Sequence, residues 1–252
     1  MITLKSKREI ELLKVAGNIV YKTHKYLLPF VKEGITTKEL DKLAEDFIIS
    51  QNATPSFKGY EGFPSTLCTS INSEVVHGFP SNRALKNGDI ISIDIGACYK
   101  GYHGDSAWTY AVGDIDEEKK YLMEHTEKSL FIGLEQVKPG NRIGDIGAAI
   151  EEYAKAKKLG VVKELCGHGV GTDVHEDPDV PNYGTKNTGP RLKEGMVIAV
   201  EPMLTSGSPR IFVHDNDWTI DTEDGRPSAH FEHTVVVTAD GYQILTGEWK
   251  DG

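Results

Sequence analysis

The 252-residue sequence repeats itself at long range. Leu28, Val31, Lys32 and Gly34 recur 106 residues later as Leu134, Val137, Lys138 and Gly140, and Leu40, Leu43, Phe47 and Ile48 recur at the same offset as Ile146, Ala149, Tyr153 and Ala154. A second block, Leu85-Lys86-Asn87-Gly88 followed by Ile90, Ile91, Ile93 and Asp94, returns at an offset of 107 as Leu192-Lys193-Glu194-Gly195 followed by Val197, Ile198, Val200 and Glu201. One inserted residue separates the two registers. Leu, Lys and Gly are common, so a single block would carry little weight; two blocks in nearly constant register point to internal duplication. The chain is therefore expected to form a single domain over 1–252 built from two related halves, roughly 1–113 and 114–252.

Local signals agree with alternating helical and extended blocks. Ser6 with Glu9 reads as a capping box before Ile10, Leu13, Gly17, Val20, His24 and Leu27 at helical spacing. Thr36 with Glu39 reads as a second box before Leu40, Leu43, Phe47 and Ile48. From Cys68 the pattern turns to strands: Ile90 to Ile95 is short, β-branched and preceded by the turn pair Asn87-Gly88, and helical spacing returns after Gly113. Each repeated strand block ends on a carboxylate, Asp94 in one half and Glu201 in the other. Carboxylates rarely occupy buried-looking strands unless they are paired, hydrogen-bonded or metal-bound, because an isolated buried charge is costly.

Charge and cysteine content narrow the classes of function. The 38 acidic and 28 basic side chains leave a formal net charge of −10, which argues against broad phosphate neutralisation and so against a nucleic-acid binder. Cys68, Cys98 and Cys166 form no CxxC pair, and a reduced cytoplasmic setting is the simplest reading. Met1 to Glu11 is charged and leads into no apolar run, so no secretory signal is expected. The apolar stretch Met196 to Val200 is about a quarter of the roughly 20 residues that a membrane-crossing helix needs. The sequon Asn52-Ala53-Thr54 then reads as coincidence.

Five residues in apolar or glycine-rich stretches stand out as a set: Asp94, Asp105, His168, Glu201 and Glu232. Taken singly, each has a plain structural reading. Asp94 could end a strand, Glu201 could precede Pro202 for the same reason, Glu232 could sit on an exposed edge, and His168 could occupy a tight turn. Cys166 reads as a packing residue. Taken together, four carboxylates and one imidazole form an oxygen-rich donor set that suits divalent manganese, iron or cobalt better than a thiolate-type zinc site. Four acids in one pocket repel unless cations neutralise them, and two divalent ions would do so. No GxSxG elbow, HExxH or Walker loop is present, and Gly167 to Gly171 lacks the glycine spacing of a dinucleotide fingerprint.

With these residues in view, the sequence resembles a known family, the type I methionine aminopeptidases, the short bacterial form of the pita-bread metallopeptidases. The resemblance covers nearly the whole chain. It is carried by Asp94 and Asp105 with ten residues between them, Gly167-His168-Gly169, Ile198-Ala199-Val200-Glu201-Pro202-Met203 and Phe231-Glu232-His233-Thr234. It implies an α+β pita-bread fold, two pseudo-twofold-related halves around a central antiparallel sheet. It further implies two divalent ions (cobalt, manganese or iron, with zinc admitted), Asp94 chelating one, Asp105 and Glu232 bridging both, and His168 with Glu201 completing the second. A hydroxide held between the ions would be the nucleophile, and Glu201 would shuttle its proton to the leaving amine.

The same resemblance assigns His77 to the scissile amide nitrogen and His175 to the oxygen of the tetrahedral intermediate. It assigns Tyr60, Phe63, Cys68 and Trp218 to the methionine pocket, with Phe57 and Met203 nearby. His103 and His233 flank ligands and are expected to orient them; His24, His125 and His214 read as surface or packing residues. Departures from the family pattern fall at Phe57, Glu61, Phe63 and His230, the last in place of the usual Gln. The implied activity is removal of the initiator methionine from nascent polypeptides with a small second residue, near the ribosome exit, by a cytoplasmic monomer with no nucleic-acid or membrane requirement. Two rivals share the fold: a proline-specific peptidase, which usually carries a large extra N-terminal domain, and a non-catalytic binding module, which typically loses ligands.

Overall fold

A computed structural model describes residues 1–248, so the last four residues of the expected domain lie outside the described residues. Four long helices form, the first two where the sequence places their start signals and the other two after Gly113, where helical spacing returns. Helix α1, Lys7–Leu27, opens on Ser6, whose hydroxyl accepts from the Glu9 amide while the Glu9 carboxylate takes the Ser6 amide. It buries Leu13, Gly17, Val20, His24 and Leu27 along one face. Helix α2, Thr37–Ser50, opens on the reciprocal Thr36 and Glu39 pair. Helices α3, Glu117–Leu134, and α4, Ile143–Ala156, follow in the second half.

The repeated positions share backbone conformation and hydrogen bonding. Gly34 and Gly140 adopt φ of 92° and 96°, and Gly88 and Gly195 adopt 90° and 86°, left-handed values that favour glycine. The Leu85 amide donates to the Ile35 carbonyl as the Leu192 amide donates to that of Asn141, each at 2.8 Å. Thr37 and Lys38 donate to Arg83 and Ser81 as Ile143 and Gly144 donate to Pro190 and Thr188.

Each helix pair packs on its own sheet. In the first, the long strand Ile90–Tyr99 pairs antiparallel with Tyr102–Ala111 on one edge and with Thr54–Pro55 and Leu67–Ile71 on the other. In the second, Tyr242–Ile244, His233–Val237, Val197–Val200, Cys166–Gly169 and Glu176–Pro181 lie in that order. Leu40, Ile48, Leu67, Ile91, Ile93 and Ile95 form the core under α1 and α2, and Leu122, Leu130, Ile146, Ile150, Ile198 and Val235 form a separate core under α3 and α4. This is the α+β architecture expected. No helix among the described residues is long and apolar enough to cross a membrane.

The two sheets meet along Tyr102–Ala111 and His233–Val237. The Glu232 amide donates to the Ala107 carbonyl at 2.8 Å, and the Ser106 hydroxyl donates to the Glu232 carbonyl at 2.6 Å. The Thr234 hydroxyl donates to the Asp105 carbonyl at 2.7 Å and accepts from the Asp105 amide at 3.2 Å. Two of the five candidate ligands, Asp105 and Glu232, are thus the backbone rivets of the seam.

Two local expectations are corrected. Asp94 does not end its strand, which continues five residues to Tyr99 because Ile95 to Tyr99 keep pairing with Tyr102 to Ser106. Glu201 does follow the end of Val197–Val200, where Pro202 offers no amide to extend a ladder. Cys166–Gly169 is a buried strand rather than a turn, paired on both sides.

Candidate metal centre and active site

All five candidate ligands converge at the seam. Oxygens of Asp94, Asp105 and Glu232 lie within 4.8 Å of one another, and so do ligand atoms of His168, Glu201 and Glu232. His168 Nε2 stands 3.7 Å from Asp105 Oδ2 and 3.5 Å from Glu201 Oε1. Asp105, His168, Glu201 and Glu232 are buried and Asp94 nearly so. The glycines around His168 make this approach feasible: a Cβ on Gly167 would come within 2.3 Å of the Ala199 carbonyl oxygen, and one on Gly169 within 2.2 Å of that of Asp177.

The electrostatics of this cluster are those of a cation site. Asp94 Oδ1, Asp105 Oδ1 and Glu232 Oε1 are buried without any hydrogen-bond partner. Desolvation, with mutual repulsion behind it, carries Asp105 and Glu232 well above the usual carboxylate range. Asp94 is lifted to about 7, by desolvation and then Glu201, against the opposing pull of His230. Glu201 goes the other way: burial pushes its carboxyl up, but His230, His168 and His175 outweigh it and hold it below its ordinary value. His168 donates its Nδ1 proton to the Gly169 carbonyl at 2.9 Å, which turns Nε2 towards the acids. Orphaned carboxylate oxygens beside an imidazole that aims Nε2 at them fit a divalent ion.

The cluster forms the floor of a cavity of about 500 Å³ whose walls include Phe57, Tyr60, Phe63, Cys68, His77, His175, Met203 and Trp218. Phe63 packs edge-on against Trp218 at 5.1 Å, and His77 does so at 6.0 Å. His77 holds φ at 59°, in the left-handed region that few residues other than glycine adopt, and its side chain lines the cavity. The His175 ring meets that of His168 at 4.2 Å, and its Nδ1 lies 3.1 Å from the Tyr60 hydroxyl. Desolvation by the walls, and then His168, lowers the His175 pKa to about 4. The five metal-ligand candidates and all six pocket candidates therefore share one cavity.

Other expectations fare differently. His103 Nδ1 pairs with the Ser56 hydroxyl and His233 Nδ1 with that of Thr246, so neither hydrogen-bonds a ligand carboxylate. His24 and His125 are packing residues, bonded to the hydroxyls of Tyr110 and Tyr153. Cys166, expected to pack, lines the cavity, as do Leu165, Val76, Glu176, Asp177 and Asp179, which sequence reading did not single out. His230, noted only as a departure, places Nε2 3.2 Å from Glu201 Oε2, near in charge though outside hydrogen-bond alignment.

Comparison with known proteins matches these findings. The model of metallopeptidase family M24 matches residues 11–239. Methionine aminopeptidase 1 of Bacillus subtilis is 54% identical over 246 residues, covering 98% of this chain and 99% of that protein. The solved structure of methionine aminopeptidase from Rickettsia prowazekii superposes with a TM-score of 0.97 at 40% identity, over 98% of this chain and 100% of that one. A prolidase from Pyrococcus furiosus shares the fold at a TM-score of 0.77 and 26% identity, but this chain spans only 66% of it. A seam of four carboxylates and one imidazole, a fold shared over the full length and these identities agree: the chain belongs to metallopeptidase family M24, among its type I methionine aminopeptidases.

Proposed function

We propose that the chain removes the N-terminal methionine from polypeptides whose second residue is small, acting as one catalytic domain whose two halves, roughly 1–113 and 114–252, each supply part of the site. The observation that carries this reading is the pairing of unsatisfied buried carboxylates with an aromatic and sulfur-lined cavity opening directly onto them. Asp94 would hold one divalent ion, Asp105 and Glu232 would bridge two, and His168 with Glu201 would complete the second. The oxygen-rich donor set favours cobalt, manganese or iron, with zinc admitted. When bound, such ions acidify water and polarise the scissile carbonyl.

The chain's own residues do the rest. Glu201, whose carboxylate His230 faces at 3.2 Å, accepts a proton from the attacking water and passes it to the leaving amine. With the Tyr60 hydroxyl donating to Nδ1 of His175, the Nε2 proton of that ring is free to stabilise charge developing on the carbonyl oxygen. His77 contacts the scissile amide nitrogen. Phe63, Trp218, Cys68 and Tyr60 enclose the methionine side chain, where a thioether gains dispersion and sulfur–aromatic contact. The cellular substrate is the nascent N-terminus near the ribosome exit in the cytoplasm, and the chain works as a monomer.

The test is substrate choice by metal-reconstituted protein. Met-Ala-Ser and Met-Gly peptides should be cleaved while Xaa-Pro dipeptides are left intact. Cleavage of Xaa-Pro with Met-Ala-Ser untouched would favour the prolidase-like alternative.

A further inference from the structure

We propose that Lys5 is a positioning residue for His175, acting through Glu176 to hold the loop that aims this imidazole into the cavity; the inference rests on the role given to His175 above. Lysine is rarely buried unless paired, yet the Lys5 side chain is only 6% exposed and its ammonium lies 2.6 Å from Glu176 Oε2, across 171 residues of sequence. The Thr3 hydroxyl donates to the same oxygen at 3.1 Å. The other oxygen, Glu176 Oε1, accepts the amides of Thr172 at 2.8 Å and Asp173 at 3.4 Å. One carboxylate thus ties the segment before α1 to both ends of the loop 171–176.

Besides this carboxylate the loop is held by the buried Val174 side chain and a few backbone hydrogen bonds, with no strand ladder of its own. Residues 170–175 belong to no helix or strand, and His175 is the last of them before the strand Glu176–Pro181 begins. Lys5 is itself anchored, its amide donating to the Gly195 carbonyl at 2.7 Å, and Ile2 packs against the second core. The packing around the ion pair is close: a Cβ on Gly171 would come within 2.1 Å of Glu176 Oε1 and 2.3 Å of Lys5 Nζ. The Gly171 carbonyl in turn accepts from the His103 amide at 2.9 Å. Buried ion pairs of this kind add little net stability, but removing one partner leaves an uncompensated charge and frees whatever the other was holding. Here what Glu176 holds is the approach to His175.

The experiment compares Lys5→Met, Lys5→Arg, His175→Ala and the Lys5→Met/His175→Ala double variant, each reconstituted with manganese, on Met-Ala-Ser, alongside amide exchange in the metal-free proteins. Lys5→Met should lower kcat by about tenfold, the scale of lost outer support around a site, with KM changed less than about twofold. Lys5→Arg should restore most of the loss. In the His175→Ala background Lys5→Met should cost nothing further, because the two changes act through one group. Thr172 and Asp173 amides should exchange faster in Lys5→Met, with manganese stoichiometry unchanged. Unaltered kcat in Lys5→Met, an additive loss in the double variant, or unchanged exchange at Thr172 and Asp173 would each overturn the proposal. If His175→Ala keeps full activity, it is the role of His175 that fails, and the exchange rates alone decide whether Lys5 holds the loop. Should Lys5→Met not fold, Lys5→Gln, which keeps a donor, takes its place.

Discussion

The two halves of the molecule share a scaffold and divide the chemistry. The loops after α1 and α3 close through matching hydrogen bonds, and the same glycines turn left-handed at offsets of 106 and 107. The side chains that scaffold delivers are not the same. Gly169 pairs with Ile198 as Ile71 pairs with Ile91, so His168 takes the place that Ser70 holds in the first half. Ser70 merely accepts the Gly78 amide, whereas His168 turns Nε2 towards Asp105 and Glu201. Asp94 is pushed up chiefly by burial and then by Glu201, while Glu201 is held down by three imidazoles. One half presents a carboxylate pushed up by burial and the other a carboxylate held down by imidazoles; the frame is shared and the side chains on it differ.

The largest effect should come where the halves meet. Asp105→Asn or Glu232→Gln removes a carboxylate charge from the seam, and each should lower kcat/KM on Met-Ala-Ser by more than about 100-fold while far-ultraviolet circular dichroism stays unchanged. Near-normal turnover in either variant would show that the centre is not shared between the halves.

Loading the centre should stabilise the fold. At a free divalent-ion concentration about 100 times the dissociation constant, linkage gives about 2.7 kcal/mol, readable as a rise in melting temperature that chelator reverses. Equal melting of loaded and chelated protein would mean that the acids are not held apart by cations.

His24 offers a finer test, because its counterpart at the offset of 106 is Leu130, a plain core residue. His24 donates from Nε2 to the Ser106 carbonyl at 3.0 Å and accepts the Tyr110 hydroxyl at Nδ1 at 2.8 Å. His24→Leu strands both groups and should cost about 1–3 kcal/mol at pH 7. Desolvation lowers the His24 pKa from its ordinary value to about 3, so the native state keeps the ring neutral where the unfolded chain protonates it. Wild-type stability relative to the variant should then fall as pH drops below the ordinary imidazole value towards 3, and denaturant melts at pH 7 and 5 should show the gap narrowing. A gap that widens on acidification would contradict this burial.

The smallest contrast lies at the equivalent helix caps. Thr36→Ala removes a hydroxyl acceptor from the start of α2 and should cost about 1 kcal/mol. Arg142 at the start of α4 offers no side-chain acceptor to the helix amides: its amide donates to the Asp145 carboxylate at 2.7 Å and its exposed guanidinium donates outward to the Gly189 carbonyl at 2.6 Å, so Arg142→Ala loses one exposed contact but no cap and should cost about 0.5 kcal/mol. Equal costs would erase that asymmetry.

Much of this frame was legible in the sequence because it depends on short-range rules. Ser6 with Glu9 and Thr36 with Glu39 specify helix starts within four residues, and a repeat offset survives any tertiary detail. The strand at Asp94 outruns the repeat, which stops at Glu201 where Pro202 ends the ladder, because Ile95 to Tyr99 have partners that only the hairpin reveals. His168 had no counterpart in the first half, and only its glycine-rich setting singled it out before the family resemblance gave it a ligand role. The cavity walls at Leu165, Cys166 and Asp179, the contact of His230 with Glu201, and the reach of Lys5 to Glu176 are products of distant segments meeting, which no local pattern encodes.

The central claim, that carboxylates from both halves converge on divalent ions used in catalysis, is tested most directly by titrating chelated protein with manganese while following calorimetric stoichiometry and Met-Ala-Ser hydrolysis together. Two ions bound per chain, with hydrolysis appearing as they load and vanishing on chelation, is the predicted result. Undiminished hydrolysis in exhaustively chelated protein, or hydrolysis that does not follow ion binding, would contradict it.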